Sequence, residues 1–121
     1  MVMAAHNELG KWGEDIAAEF LQHNGYNIIE RDWKSGRRDI DIIATDRDEV
    51  VFVEVKTRRN RLFGDPEEAV DYRKLQSLQM AINHYIKYRH ILCDVRFDII
   101  TVVGTIGCEP EIEHIKGVPL Y

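Results

Sequence analysis

The chain has 121 residues, 45% of them hydrophobic and 31% charged, a mixture that excludes a disordered chain, a collagen and a disulfide miniprotein. This is the length of one ordinary domain, able to bury roughly two-thirds of its unfolded surface. Sixteen Lys and Arg against 21 Asp and Glu give a net charge of -5, which excludes a uniformly basic nucleic-acid coat and leaves room for a local basic patch. No apolar run approaches about 18 residues, so no membrane span is expected. The start, Met1 to Glu8, lacks a charged stretch followed by an apolar one, so no secretory signal is expected. Cys93 and Cys108 fit reduced thiols in a cytoplasmic protein better than a disulfide framework or a zinc site.

In chain order, Leu9, Trp12, Ile16, Ala17, Phe20 and Leu21 form one stripe of a helix, with Asn7 as its N-cap and Gly25 as its stop signal. Tyr26 to Trp33 is rich in β-formers and predicts a first strand, broken at Ser35-Gly36. Arg38 to Thr45 and Val50 to Thr57 predict two more strands around a charged turn at Asp46 to Glu49. A basic loop, Arg58 to Asp65, leads to Pro66 at the first position of a second helix, where its missing N–H costs nothing. Val70, Leu75, Leu78, Ile82, Tyr85 and Ile86 give that helix its buried stripe. Cys93 to Val103 predicts a fourth strand, and the acidic tail adds a short edge strand. The order α-β-β-β-α-β is that of an α/β domain.

The third strand holds the chemistry. Alternation puts Val51, Val53 and Val55 on a core face and Val50, Phe52, Glu54 and Lys56 on the other. In the strand before it, Asp39 and Asp41 share one face while Ile40, Ile42 and Ala44 share the opposite one. A turn at Asp46 to Glu49 pairs Thr45 with Val50, and counting back sets Asp41 opposite Glu54 and Asp39 opposite Lys56. Like charges directly opposite are destabilising. Facing carboxylates are tolerated when a proton or a hard divalent cation lies between them, and oxygen donors favour Mg²⁺ or Mn²⁺. Glu14, at the edge of the first helix's apolar stripe, leans over the sheet as a further carboxylate. Acids with a nearby Lys suit metal-assisted phosphodiester hydrolysis, with Lys56 orienting a water or stabilising the charge on the phosphorane. The segments Arg31 to Arg38 and Lys56 to Arg61 bracket this cluster and hold eight of the sixteen basic residues. Arg37, Arg38, Arg58, Arg59 and Arg61 are the candidate phosphate contacts.

Asp41, twelve intervening residues, then Glu54-Val55-Lys56 resembles the PD-(D/E)xK nuclease signature. His6-Asn7-Glu8-Leu9-Gly10-Lys11-Trp12-Gly13-Glu14, Gly25-Tyr26, Asp39-Ile40-Asp41-Ile42-Ile43-Ala44, Phe52 to Arg58, Phe63-Gly64-Asp65-Pro66 and Arg96-Phe97-Asp98 narrow the resemblance to the bacterial YraN-type family of Holliday-junction-resolvase-like proteins. It runs from about His6 to Val103. It implies a single restriction-endonuclease-like domain over residues 1–121, a central mixed sheet flanked by helices, with 104–121 as an acidic tail. It implies that Glu14, Asp41, Glu54 and Lys56 are the catalytic positions, that Glu14, Asp41 and Glu54 hold Mg²⁺ or Mn²⁺, and that Lys74 on the second helix contacts DNA. The expected substrate is branched or structured DNA, and a symmetric junction calls for a homodimer. No small-molecule cofactor and no membrane partner are expected. The chain departs from the family's usual pattern at Arg38-Asp39, where Gly-Glu is usual, and at Ile40, where the nuclease motif has proline.

Other residues invite chemistry less. His84, His90 and Cys93 fit a helix-to-strand junction better than a metal pair. Trp12 falls in the helix stripe and reads as core, whereas Trp33, beside the basic run, is open to stacking on bases. Two further readings stand beside the nuclease: a non-catalytic nucleic-acid-binding module on the same fold, and a protein-interaction subunit in DNA processing that docks through the acidic tail.

Overall fold

The computed structural model describes residues 2–60 and 72–120, with 2–7 as backbone only. Among the described residues, seven elements follow in chain order: α1 (Val2–His23), β1 (Asn27–Ser35), β2 (Arg38–Asp46), β3 (Glu49–Arg58), α2 (Tyr72–Tyr88), β4 (Val95–Val103) and β5 (Glu111–Ile115). They make an α/β fold with a five-stranded mixed sheet in the order β1-β2-β3-β4-β5. Only β3 and β4 run parallel, and the chain that joins them contains α2, as a parallel crossover requires. The acidic tail supplies β5, antiparallel on the free edge of β4.

The helices cover opposite faces of the sheet, and alternation along the strands sorts the apolar side chains between them. Ile42, Ala44, Val51, Val53, Ile100 and Val102 pack with Ala17, Ala18 and Leu21 of α1. Ile43, Val50, Phe52, Phe97 and Ile99 pack with Leu78, Ala81, Ile82 and Tyr85 of α2. Both faces of β3 are therefore core, which is why the strand reads as a nearly continuous apolar run.

Most boundaries fall close to expectation, with three corrections. Helix α1 begins at Val2, so Asn7 lies inside it and is not its N-cap, while Gly25, at φ 88°, does end it. Cys93 and Asp94 precede β4, which starts at Val95. Ile40 does not share a face with Ile42 and Ala44. It packs with Ile43 on the α2 side, because β2 turns on its axis where it leaves β3. Pro66, Val70 and Arg61 lie outside the described residues. No helix among the described residues is long and apolar enough to cross a membrane.

Candidate active site in a fork of the sheet

The hairpin count is met at its start. Thr45 pairs with Val50, around a turn in which Arg47 takes φ 57°. The β2–β3 ladder then stops at Ile42↔Val53, one pair short of Asp41 and Glu54. Strand β2 stays on β1 through Ser35↔Arg38, and β3 stays on β4 through Arg58↔Val103. The sheet thus splits into two arms with a fork between them. In the fork the carboxylate of Asp41 takes the place of a backbone partner, accepting the Val55 N–H at 2.8 Å. A cleft of about 340 Å³ opens there, lined by Leu9, Gly10 and Glu14 from α1, Asp39 and Asp41 from β2, Glu54 to Arg58 from β3, and Lys74 from α2.

The position of Glu14 depends on its neighbour. A Cβ added at Gly13 would lie 2.0 Å from the Thr57 hydroxyl and within 3 Å of the Thr57 Cβ and methyl carbons. Only glycine lets α1 come this close to β3, at a cost in helix propensity of about 1 kcal/mol relative to Ala. The close approach carries Glu14 to the fork, where one oxygen each from Glu14, Asp32 and Asp41 lie within 4.8 Å of one another. Glu54 is not part of that triple. Its Oε2 is 3.2 Å from Lys56 Nζ and 2.8 Å from Lys74 Nζ.

Burial sets the electrostatics. The Glu54 and Lys56 side chains are only 4% and 8% exposed, so their ion pair is not a surface one. Burial, and next the charge of Glu54, push the Asp41 carboxyl up to about 9. Burial also works on Glu54, but the hydrogen bond from Asp41 and the ammonium groups of Lys74 and Lys56 outweigh it and hold that group low. Asp41 and Glu54 thus titrate as one pair that favours a single negative charge over two. Burial, and then Asp32, lift Glu14 to about 6. Lys56 is pulled down by burial and by Lys74, against the attraction of Glu54. Lys74 is raised, because Glu54 overcomes its partial burial. Carboxylate oxygens gathered from three elements are the donors that a hard divalent cation takes, and the coupled titration of Asp41 and Glu54 marks the negative charge such a cation would offset.

The remaining predicted residues divide. Asp39 is not opposite Lys56, because the ladder has ended. Its side chain is 55% exposed and pairs with Lys34 at 3.7 Å. Arg37, Arg58 and Arg59 are exposed, and Arg58 stands at the cleft's rim. Arg38 is half-buried and reaches the sulfur of Met80. Lys74, expected only as a DNA contact, is inside the site as a partner of Glu54. Asp32 was missed altogether. The count that found Glu54 would have found it, since the break at Gly36 pairs Ser35 with Arg38 and so sets Asp32 opposite Asp41. His84 bonds Ser35 and stacks edge-on to Trp33, and Trp12 packs under α1.

A family model described as "Uncharacterised protein family UPF0102" matches residues 13–102, a span that includes Glu14, Asp41, Glu54, Lys56 and Lys74. The chain is 50% identical over 114 residues to a UPF0102 protein of Bacteroides thetaiotaomicron, covering 94% of this chain and 93% of that one. It is 47% identical over 114 residues to UPF0102 protein FP2501 of Flavobacterium psychrophilum, covering 94% and 95%. A UPF0102 protein of Porphyromonas gingivalis is 45% identical over 113 residues, covering 93% of this chain and 84% of that one.

Proposed function

The chain belongs to the family UPF0102, and from the chemistry of its fork we propose that it is a metal-dependent endonuclease acting on branched or otherwise structured DNA. The observation that carries this reading is the buried acid pair Asp41–Glu54 with the Lys56 ammonium 3.2 Å from it. A buried, coupled set of this kind in a cleft is costly to the fold unless a ligand or a reaction uses it.

Glu14, Asp41 and Glu54 would hold Mg²⁺ or Mn²⁺ here, with Asp32 beside them. A bound divalent cation supplies Lewis-acid polarisation of the phosphate and a water acidic enough to attack it. Lys56 donates hydrogen bonds from a fixed point, held by Glu54 and by burial, so its charge meets a phosphate oxygen or the attacking water without reorganising. Lys74 balances Glu54 until phosphate enters, and then has a second anion within reach. Arg58 at the rim, Arg59 next to it in the chain and Arg37 on the β1–β2 turn meet the flanking phosphates. Cleavage of a symmetric junction needs two such sites, so the working form is a homodimer.

The test is cleavage of a labelled four-way junction, against duplex and single strand, with Mg²⁺, Mn²⁺ or EDTA. Glu54→Gln and Lys56→Met keep side-chain size, and each is expected to lower the rate on the order of 10²–10³-fold with the circular dichroism unchanged. Equal, metal-independent background from wild type and both variants would reject the nuclease and favour a binding module.

A further inference from the structure

Helix α2 carries an exposed ridge that the fork does not use. Residues four apart lie one above another on a helix, and Tyr72, Gln76, Met80, His84 and Tyr88 are all exposed. Tyr72, Met80 and Tyr88 are 65%, 55% and 59% exposed. At 1.5 Å per residue the ridge is about 24 Å long. The outer face of a surface helix is ordinarily charged or polar, whereas this line is aromatic, thioether, imidazole and amide. Each step of four advances about 40° around the axis, so the Met80, His84 and Tyr88 part lies on the β1 side of α2, where Arg38, Ser35 and Trp33 meet it.

Cations and ring faces accompany it. An Arg38 nitrogen lies 3.4 Å from the sulfur of Met80. The ring of Trp33 is tilted 34° to that of Tyr88 at 6.3 Å, and the Arg89 guanidinium is 5.2 Å from the centre of the Tyr88 ring. Arg37 stands on the β1–β2 turn beside Arg38, and among the described residues neither has a carboxylate partner. A protein docked on this ridge would have to leave those guanidinium groups dry or bring acids to them. A phosphate backbone satisfies them, and bases whose faces are free can stack on Tyr88 and its neighbours. A paired duplex keeps its base faces covered, so it gains only the charges.

We propose that the Met80–His84–Tyr88 side of α2 is a track for an unpaired DNA strand, so that the substrate is DNA with a single-stranded arm near the bond to be cut. The location of the cut rests on the nuclease reading; binding to the track does not. Fluorescence anisotropy in EDTA, with a labelled oligothymidylate of about fifteen nucleotides and a duplex of equal length, tests it. The single strand is expected to bind more tightly than the duplex. Tyr88→Ala should weaken it by about tenfold or more, and Tyr88→Phe should not. Met80→Glu should weaken it while Met80→Lys holds or tightens it, since the sign of charge decides a contact with phosphate. All these positions are exposed, and circular dichroism reports that each variant is folded.

Wild-type affinity in both Tyr88→Ala and Met80→Glu overturns the track, as does a duplex preference that the ridge variants leave alone. Self-association in sedimentation that Met80→Glu and Met80→Lys abolish alike overturns it too, in favour of a second copy of the chain. Junction cleavage separates the two readings. Cleavage that persists while the ridge variants bind as wild type removes the track alone. Single-strand binding that follows the ridge with no substrate ever cut removes the nuclease alone.

Discussion

Two carboxylates that titrate as one pair, as Asp41 and Glu54 do, tie the stability of the metal-free protein to pH. The Asp41 carboxyl has its folded value at about 9, above the ordinary 3.8, and Glu14 stands at about 6 against 4.5. An acid raised in the folded state favours folding where it is protonated. That contribution is complete below about pH 4 and drains away as pH rises through about 6 and then about 9. Glu54 and Asp98 are shifted the other way, so their contributions are already complete above about pH 5 and do not obscure the trend. In EDTA the melting temperature should therefore fall from pH 6 to pH 9, on the order of 5 °C, and Asp41→Asn should flatten the slope. Mg²⁺ or Mn²⁺ should restore wild type most at high pH, where the cation has no proton to displace. A wild-type profile that Asp41→Asn leaves unchanged would remove the coupled pair from the account.

At the scale of elements, the fork exists because each middle strand keeps its outer partner while losing its inner one, and because α1 can lie almost on β3. Gly13→Ala tests the second condition. In an open helix this change would stabilise by about 1 kcal/mol, but here the new methyl meets Thr57, whose β-branched side chain has little room to turn. The expected net result in urea unfolding is a loss on the order of 2 kcal/mol, with weaker cation binding as Glu14 is pushed off the fork. Thr57→Ala in the same chain should recover part of both. Additive effects would mean that the helix does not press there. Alternation and the turn at Asp46 to Glu49 were enough to pair Thr45 with Val50 and bring Asp41 toward Glu54. A two-residue period carries no mark for the end of a ladder, so the packing of Ile40 on the α2 side, the pairing of Asp39 with Lys34 and the backbone bond made by Asp41 were not legible. The pairing of Lys74 with Glu54 depends on how α2 crosses the sheet, which spacing along the chain does not encode.

For the whole molecule, the two ends of the sheet carry different loads. Toward the β2–β3 turn, opposite Val53 where the fork begins, Asp98 is fully buried and accepts bonds from Arg96 at 2.9 Å twice, from the His114 ring at 2.7 Å and from Gly117 N–H at 3.0 Å. Arg96 also reaches Asp46, Glu49 and the Tyr26 hydroxyl, so one cluster ties β4 to the β2–β3 turn, to β5 and to the end of α1. The same segment, Arg96-Phe97-Asp98, helped to carry the family resemblance in sequence, yet its bonds join elements of the fold and its partners are all internal. Asp98→Asn should cost on the order of 1–3 kcal/mol, because the buried carboxylate accepts four bonds from donors and an amide nitrogen in its place cannot accept, while Arg96 keeps Asp46 and Glu49 and cation affinity at the fork stays as in wild type. Reduced cation affinity in a folded Asp98→Asn protein would join the two ends and contradict this division.

The claim on which the rest depends is that the fork gathers carboxylates from α1, β1 and β2, with Glu54 of β3 beside them, into one cation site. Calorimetric titration with Mn²⁺ at neutral pH, on the metal-free full chain, measures it directly. Saturable binding with release of protons is expected, at least about tenfold weaker in Asp41→Asn and in Glu14→Gln, as the loss of a charged ligand implies, and unaltered in Asp98→Asn. Absence of saturable binding to wild type, or equal affinity in all four proteins, would contradict it.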